Sequence, residues 1–413
     1  TEPIQKERPQ DSIALLEPDI DNIRLAWQTG LAQQQAEGLY NALTSLSTYY
    51  QLRGLAHEGE AMMKSTMNNA TAWENDGTPL ATRAGLERAR FQNRLGQYRP
   101  AIQTIKTTLK LAKQCGDRWA IAMGHVLWGE SLWRLGEDDA AQKKLRETLD
   151  FAQTIDAPLI IGWCHHHLGI INDIQSHYTV AHNHLEESCV VWRELDNAQA
   201  LSGSLNSIGL VCFHQGDLSA AQNAMTQALE ICEQVGDRHR QANMINNLSM
   251  IATEQGDYNS AQYYLQLGLE LATSSGDLPG QGAMYINLGK NLALQHETDL
   301  AVGHLKRGLQ IVNSIEDRAN FVEGTIALAE AKLKQNDYEQ AESLYIEALK
   351  IAKQNNLQHP ECVALIGLAK LLSQRDVKRA KQYSKNAITL AESIQNSRLL
   401  ESAHTIDNYL SRV

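Results

Sequence analysis

The sequence predicts an all-α fold: a right-handed α-solenoid of antiparallel helix pairs, about eight to nine of them, closed by a capping helix. Three observations predict it. Turns fall forty residues apart at Gly96-Gln97, Gly136-Glu137, Ser176-His177, Gly216-Asp217, Gly256-Asp257, His296-Glu297 and Asn336-Asp337. A second series lies midway, at Gly116-Asp117, Asp156-Ala157, Asp196-Asn197, Gly236-Asp237, Gly276-Asp277 and Glu316-Asp317. Two turns per period leave two helices per period. Composition agrees, since the 413 residues include only 8 prolines and 6% aromatics, while Ala, Leu, Gln and Glu abound.

Each element follows in order. Residues 1 to about 13 read as a polar tail, and Leu15 to Gln34 as an amphipathic linker helix carrying Ile20, Ile23, Leu25, Ala26 and Trp27. Together, 1–36 form the N-terminal segment. Helices near 37–53 and 55–74, split at Arg53-Gly54, make an imperfect first repeat over 37–78, ended by the loop Glu74-Asn75-Asp76-Gly77-Thr78-Pro79. Regular pairs then run through 79–394, the last shortened by one residue at Arg375-Asp376. A helix near 397–411, within 395–413, caps the end, because the final unit has no neighbour to bury its face.

Small residues recur at one phase of each helix. In the first helices the series is Ala89, Gly129, Gly169, Gly209, Ser249, Gly289, Ala329 and Ala369; in the second it is Ala101, Ala141, Ala181, Ala221, Ala261, Ala301 and Ala341. Glycine inside a helix costs about 1 kcal/mol relative to alanine. Its return at a fixed phase therefore marks close helix packing. Large apolar residues precede the small one, as in Leu168-Gly169 and Leu288-Gly289.

These residues resemble the tetratricopeptide repeat. Ile208-Gly209 with Ala221 and Ala228, Leu288-Gly289 with Ala301, and Leu248-Ser249 with Ala261 match its pattern, on a period longer than the usual one. The resemblance covers about 37–394 and is specific for fold, less so for function. A narrower resemblance lies at the N-terminus. Leu16-Glu17-Pro18-Asp19-Ile20-Asp21-Asn22-Ile23-Arg24-Leu25-Ala26-Trp27, followed by Tyr50-Gln51-Leu52-Arg53-Gly54-Leu55-Ala56-His57-Glu58-Gly59, is similar to the segment joining NTPase module and repeats in MalT- and AfsR-type STAND regulators. That resemblance implies a sensor arm whose nucleotide-binding module lies outside this sequence. The start at Thr1 and the polar opening residues fit a piece of a longer protein. No G-x-x-x-x-G-K-[ST] occurs, so no ATP or other cofactor is expected on this piece.

Chemistry narrows the function classes further. The net charge of −11 argues against direct nucleic-acid binding, which needs clustered Lys and Arg. No apolar run reaches a membrane span. The 6 cysteines include no C-x-x-C pair and fit a reduced, cytoplasmic setting. No nucleophile–base motif occurs, so no enzyme is expected. Consecutive His165, His166 and His167 fan about 100° apart. With His177, His182 and His184 nearby they show no i, i+4 zinc pair, so no metal site is expected.

In tetratricopeptide arrays the first helices line the concave face. The resemblance carries over to Arg83, Arg90, Asn93, Arg94, Glu130, Trp133 and Arg134, then Trp163, His166, His167, Asp173, Asn206, Ser207, Phe213 and His214. It continues through Asn243, Asn246, Asn247, Glu254, Asn287 and Lys290 to Glu323, Glu330, Lys334 and Lys370. The ligand-binding set expected is Arg83, Arg90, Arg94, Arg134, Trp163, His166, His167, Asn206, Asn243, Asn246, Asn247 and Asn287. Guanidinium groups suit a carboxylate or phosphate, and carboxamides suit a peptide backbone. The competing reading pairs the arginines with Glu87 and Glu130, and bonds the asparagines within the array. The function expected is a non-catalytic sensor recognising an inducer, peptide or protein near residues 83–290 and controlling an NTPase module of the same protein. The alternative is a constitutive scaffold gripping a peptide or helix of a partner.

Overall fold

A computed structural model describes residues 17–73, 77–274, 277–315, 317–355, 357–394 and 396–412. After a 3-10 turn, Glu17–Asp19, these residues form twenty α-helices and no strand. The first are α1 (Ile20–Ala32), α2 (Ala36–Leu52), α3 (Ala56–Thr71), α4 (Gly77–Arg94), α5 (Tyr98–Gln114), α6 (Arg118–Arg134), α7 (Asp138–Thr154), α8 (Pro158–Ile174), α9 (Tyr178–Glu194), α10 (Ala198–Gln215) and α11 (Leu218–Val235). The rest are α12 (Arg238–Glu254), α13 (Tyr258–Ser274), α14 (Leu278–Leu294), α15 (Thr298–Ser314), α16 (Arg318–Lys334), α17 (Tyr338–Gln354), α18 (Gln358–Leu372), α19 (Val377–Ser393) and α20 (Ser397–Arg412). The chain divides into two compact units, one ending at Arg238 and one starting at His239.

The turn chemistry explains the period. Gly96, Gly116, Gly136, Gly216, Gly236 and Gly256 all have φ between 67° and 85°, the left-handed conformation that ends a helix. Asp156, Ser176, Asp196, His296 and Asn336 hold the same conformation without being glycine. The next residue often starts the following helix. Asp117, Asp217 and Asp277 cap α6, α11 and α14 by accepting from the backbone N–H three residues on, at 2.8, 2.9 and 3.0 Å. One dipeptide thus stops a helix and starts its partner.

The small-residue series does what close packing requires. Ala101, Ala141, Ala181, Ala221, Ala261, Ala301 and Ala341 are each 0% exposed. A Cβ placed on Gly169 would sit 2.5 Å from Leu185 Cγ. Within each unit, successive first helices touch each other, as α4, α6, α8 and α10 do in one unit and α14, α16 and α18 in the other. They form the inner row, with the second helices outside it.

Gly77, Thr78 and Pro79, expected in a loop, form the first turn of α4 instead. Proline's missing N–H costs nothing there, because those donors have no helical acceptor. The rest of that loop (74–76), the tail, Leu15, Leu16, Gly276 and Glu316 lie outside the described residues. At the other end α20 covers the last pair, burying Ala403 and Leu410.

Candidate functional site

The two halves of the N-terminal sequence resemblance meet. Arg24 Nε on α1 donates to the Tyr50 hydroxyl on α2 at 3.0 Å, and its guanidinium lies 5.7 Å from that ring's centre. Trp27, 4% exposed, donates from Nε1 to Thr66 Oγ1 on α3 at 2.9 Å. The motif residues therefore dock the linker helix on the first repeat.

The inner row of the first unit is built from residues that bridge neighbouring first helices. Arg83 of α4 stacks over Trp119 of α6, 4.1 Å from the ring centre. Arg90 pairs with Glu87 at 2.9 Å and reaches Met123 Sδ at 3.4 Å. Glu87 is buried and also accepts from Ser47 at 2.7 Å and Gln51 at 3.3 Å. Arg134 lies over Trp133, 4.1 Å from its ring, and Arg94 is exposed at the end of α4. The four arginines therefore have separate settings: Arg90 joins a buried polar network, while Arg83 and Arg134 lie flat on tryptophans.

Asn93 is the clamp between α4 and α6. It donates from Nδ2 to Glu130 at 3.1 Å and to the Leu127 carbonyl at 3.4 Å, and accepts from Ser131 at 2.7 Å. Burial pushes the Glu130 carboxyl up, against the pull of Arg134 and of the Asn93 bond.

An aromatic group continues the row onto α8. His167 lies 6.5 Å from Trp133 and stacks at 5.9 Å on Trp163, which meets His166 and Trp192 edge-on at 5.6 and 5.1 Å. Burial and the charge of Arg134 push the His167 imidazole down to about 3, so it is neutral. Its Nδ1 and the Trp133 Nε1 are both buried without a hydrogen-bond partner. Such orphans cost free energy and are uncommon in folded proteins.

Behind this group, Ser204 of α10 is a hub. Ser188 gives its proton to the Gly162 carbonyl at 3.1 Å, so Ser204 must donate to Ser188 at 3.0 Å. Ser204 then accepts from Trp192 Nε1 at 3.1 Å and from His166 Nδ1 at 3.0 Å, which fixes His166 as the Nδ1–H tautomer. Farther along, His214 of α10 meets Asp173 of α8 at 2.9 Å. Asn206, half-buried on α10, completes the expected set in this unit.

The remaining asparagines belong to the second unit. Asn287 of α14 donates to Asn246 Oδ1 of α12 at 2.8 Å, a bond within the array. Asn243 is exposed and Asn247 half-buried. Lys290 meets Glu323 at 3.3 Å, and Lys334 donates to the Ala293 carbonyl at 2.6 Å.

Sequence spacing missed three groups. Spacing offers Glu87 only as a partner for the arginines, yet it anchors a buried network. Trp192 and Ser204 lie behind the inner row and have no periodic signal. His165 pairs with His184 across two helices, Nδ1 to Nδ1 at 3.1 Å, a contact invisible in spacing along one helix.

The family model of the MalT-like TPR region matches residues 194–407, just over half of the chain. The chain belongs to this family. No curated protein matched the sequence. This MalT-like fold recurs in solved structures of low sequence identity. A Rap protein complexed with Competence and Sporulation Factor superposes with a TM-score of 0.56 at 14% identity, covering 80% of this chain and 98% of that one. The apo quorum sensor NprR from B. thuringiensis gives 0.53 at 19% identity, covering 78% and 93%. A STAND protein with a tetratricopeptide repeat sensor from Pyrococcus horikoshii gives 0.53 at 14% identity and covers 85% of this chain. The chain spans 55% of that STAND protein's length. Among the described residues no helix is long and apolar enough to cross a membrane. None of the six cysteines stands in a disulfide, and five are buried.

Proposed function

We propose that this MalT-like repeat region is the non-catalytic sensor arm of a STAND-type signalling regulator. It binds an inducer (a small molecule, a peptide or a short protein segment) on the concave side of the first unit, and binding biases an NTPase module outside this sequence. One observation carries the reading. Along α4, α6 and α8, cations lying on tryptophans (Arg83, Arg134) adjoin a Trp133–Trp163–His167 group with two unsatisfied buried nitrogens. Aromatic faces and guanidinium groups together suit an amphipathic ligand with an acidic or carbonyl group. Solved structures of this fold include a STAND protein with a tetratricopeptide repeat sensor and NprR in complex with its cognate peptide, which supports the class. A ligand shifts such a regulator only by the difference between its affinities for the two states.

The test is retention from a low-molecular-mass extract of the source cells, read by native mass spectrometry. Wild-type protein should keep a species that an Arg83→Ala/Arg134→Ala variant loses. These two arginines contribute no buried hydrogen bond to the fold, so the variant should fold normally. A folded protein partner held equally by both would favour the scaffold alternative and overturn the site.

A further inference from the structure

The paired imidazoles His165 and His184 take no part in the contacts that build that proposed ligand surface. They face each other between α8 and α9 of one helix pair, ring centres 5.1 Å apart, with Nδ1 to Nδ1 at 3.1 Å. The forty-residue register shows how unusual the pair is. The same two positions hold buried Leu205 with Ala224 one period on, His125 with Lys144 one period before, and Tyr285 stacked on His304 at 5.9 Å three periods on. No other repeat sets two imidazoles at these positions. This repeat fills them with two nitrogen lone-pair donors.

We propose that His165 and His184 form a chelate for a divalent transition-metal ion of the zinc type. Two metal–nitrogen bonds of about 2.0–2.1 Å meeting at roughly 100° place their nitrogens about 3.1 Å apart. The observed separation therefore matches the bite of one ion. As the pair stands, a single shared proton is the only link, so one Nδ1 donates to the other. Moving that proton to Nε2 of the same ring frees both Nδ1 lone pairs, and no proton is lost. Glu187, three residues beyond His184 on α9, exerts its charge on both imidazoles and is exposed. It supplies the carboxylate that such an ion takes alongside imidazole. The charge of Arg146 on α7 opposes a cation at His184, and that of Glu187 favours one. No group of three or more ligating side chains stands assembled among the described residues, so Glu187 must turn inward for the third bond.

Titration of the whole chain with zinc chloride, followed by calorimetry and by the visible spectrum of a cobalt substitute, tests this. The wild type should take up one equivalent with ligand-field bands. His165→Leu with His184→Ala installs the pair already used by the next repeat and should fold. It should weaken binding at least about tenfold, since even outer-shell changes cost that much. Glu187→Gln should weaken it too. His182→Gln removes the neighbouring imidazole, which meets Glu186 at 3.8 Å, and should leave binding unchanged. Zinc uptake unchanged in the double variant, or no uptake by the wild type, overturns the proposal.

Discussion

At the scale of single residues, the structure separates groups that hold the array together from groups with capacity to spare. Asn93 has spent its capacity on α6. Asn93→Ala should take a hydrogen bond from the Glu130 carboxyl, leave Ser131 only the Leu127 carbonyl at 2.9 Å, and cost about 1–3 kcal/mol, read as a lower urea midpoint with an unchanged slope. His125 and His167 make the pH prediction. Burial, followed by Lys144 and Lys113, lowers His125 to about 4, and burial with Arg134 lowers His167 to about 3. The unfolded imidazoles take up protons near pH 6.5, whereas the folded ones do not. Stability should therefore be full above that value and fall steadily as pH drops towards 4 and 3. Thermal unfolding against pH checks the trend, and imidazole NMR shifts flat from pH 7 to 5 check the cause. These roles were only partly legible in the sequence. Register located Arg83, Arg90 and Trp163 on the first helices. It offered Glu87 as a partner for the arginines but could not say that Glu87 would be buried, because that depends on which polar groups packing leaves without water.

At the scale of elements, period and turn chemistry made the helices legible almost to the residue. Gly-Asp is both a left-handed stop and an N-cap, so the boundary is written locally. Gly77-Thr78-Pro79 misled because the same residues open a helix as readily as they build a loop. Two substitutions probe the packing. Gly169→Val would drive methyl groups into Leu185 and should cost about 1–3 kcal/mol, seen as a drop in Tm with helical circular dichroism retained at low temperature. Trp27→Ala should cost about 3–5 kcal/mol of local stability and release α1, measured as lost hydrogen-exchange protection confined to that helix and its contacts on α2 and α3. A loss spread evenly along the chain would contradict the docking role assigned to Arg24 and Trp27.

For the molecule as a whole, a repeat array is stable only where each face finds a neighbour. Removing α20 takes away Leu410 and should expose Leu372 and Ala380 beneath it, lowering Tm while promoting association. The family was legible because tetratricopeptide spacing is imposed by packing, and packing repeats in every unit. The ligand was not, because recognition uses the few positions where one repeat differs from the next. The central claim is that the first unit's inner row, α4, α6 and α8, carries an inducer. Hydrogen exchange of the chain with and without the species it retains tests that claim most directly. The account predicts new protection concentrated in those three helices around Arg83, Trp133 and Trp163. Protection confined to the outer second helices, or none at all, would contradict it.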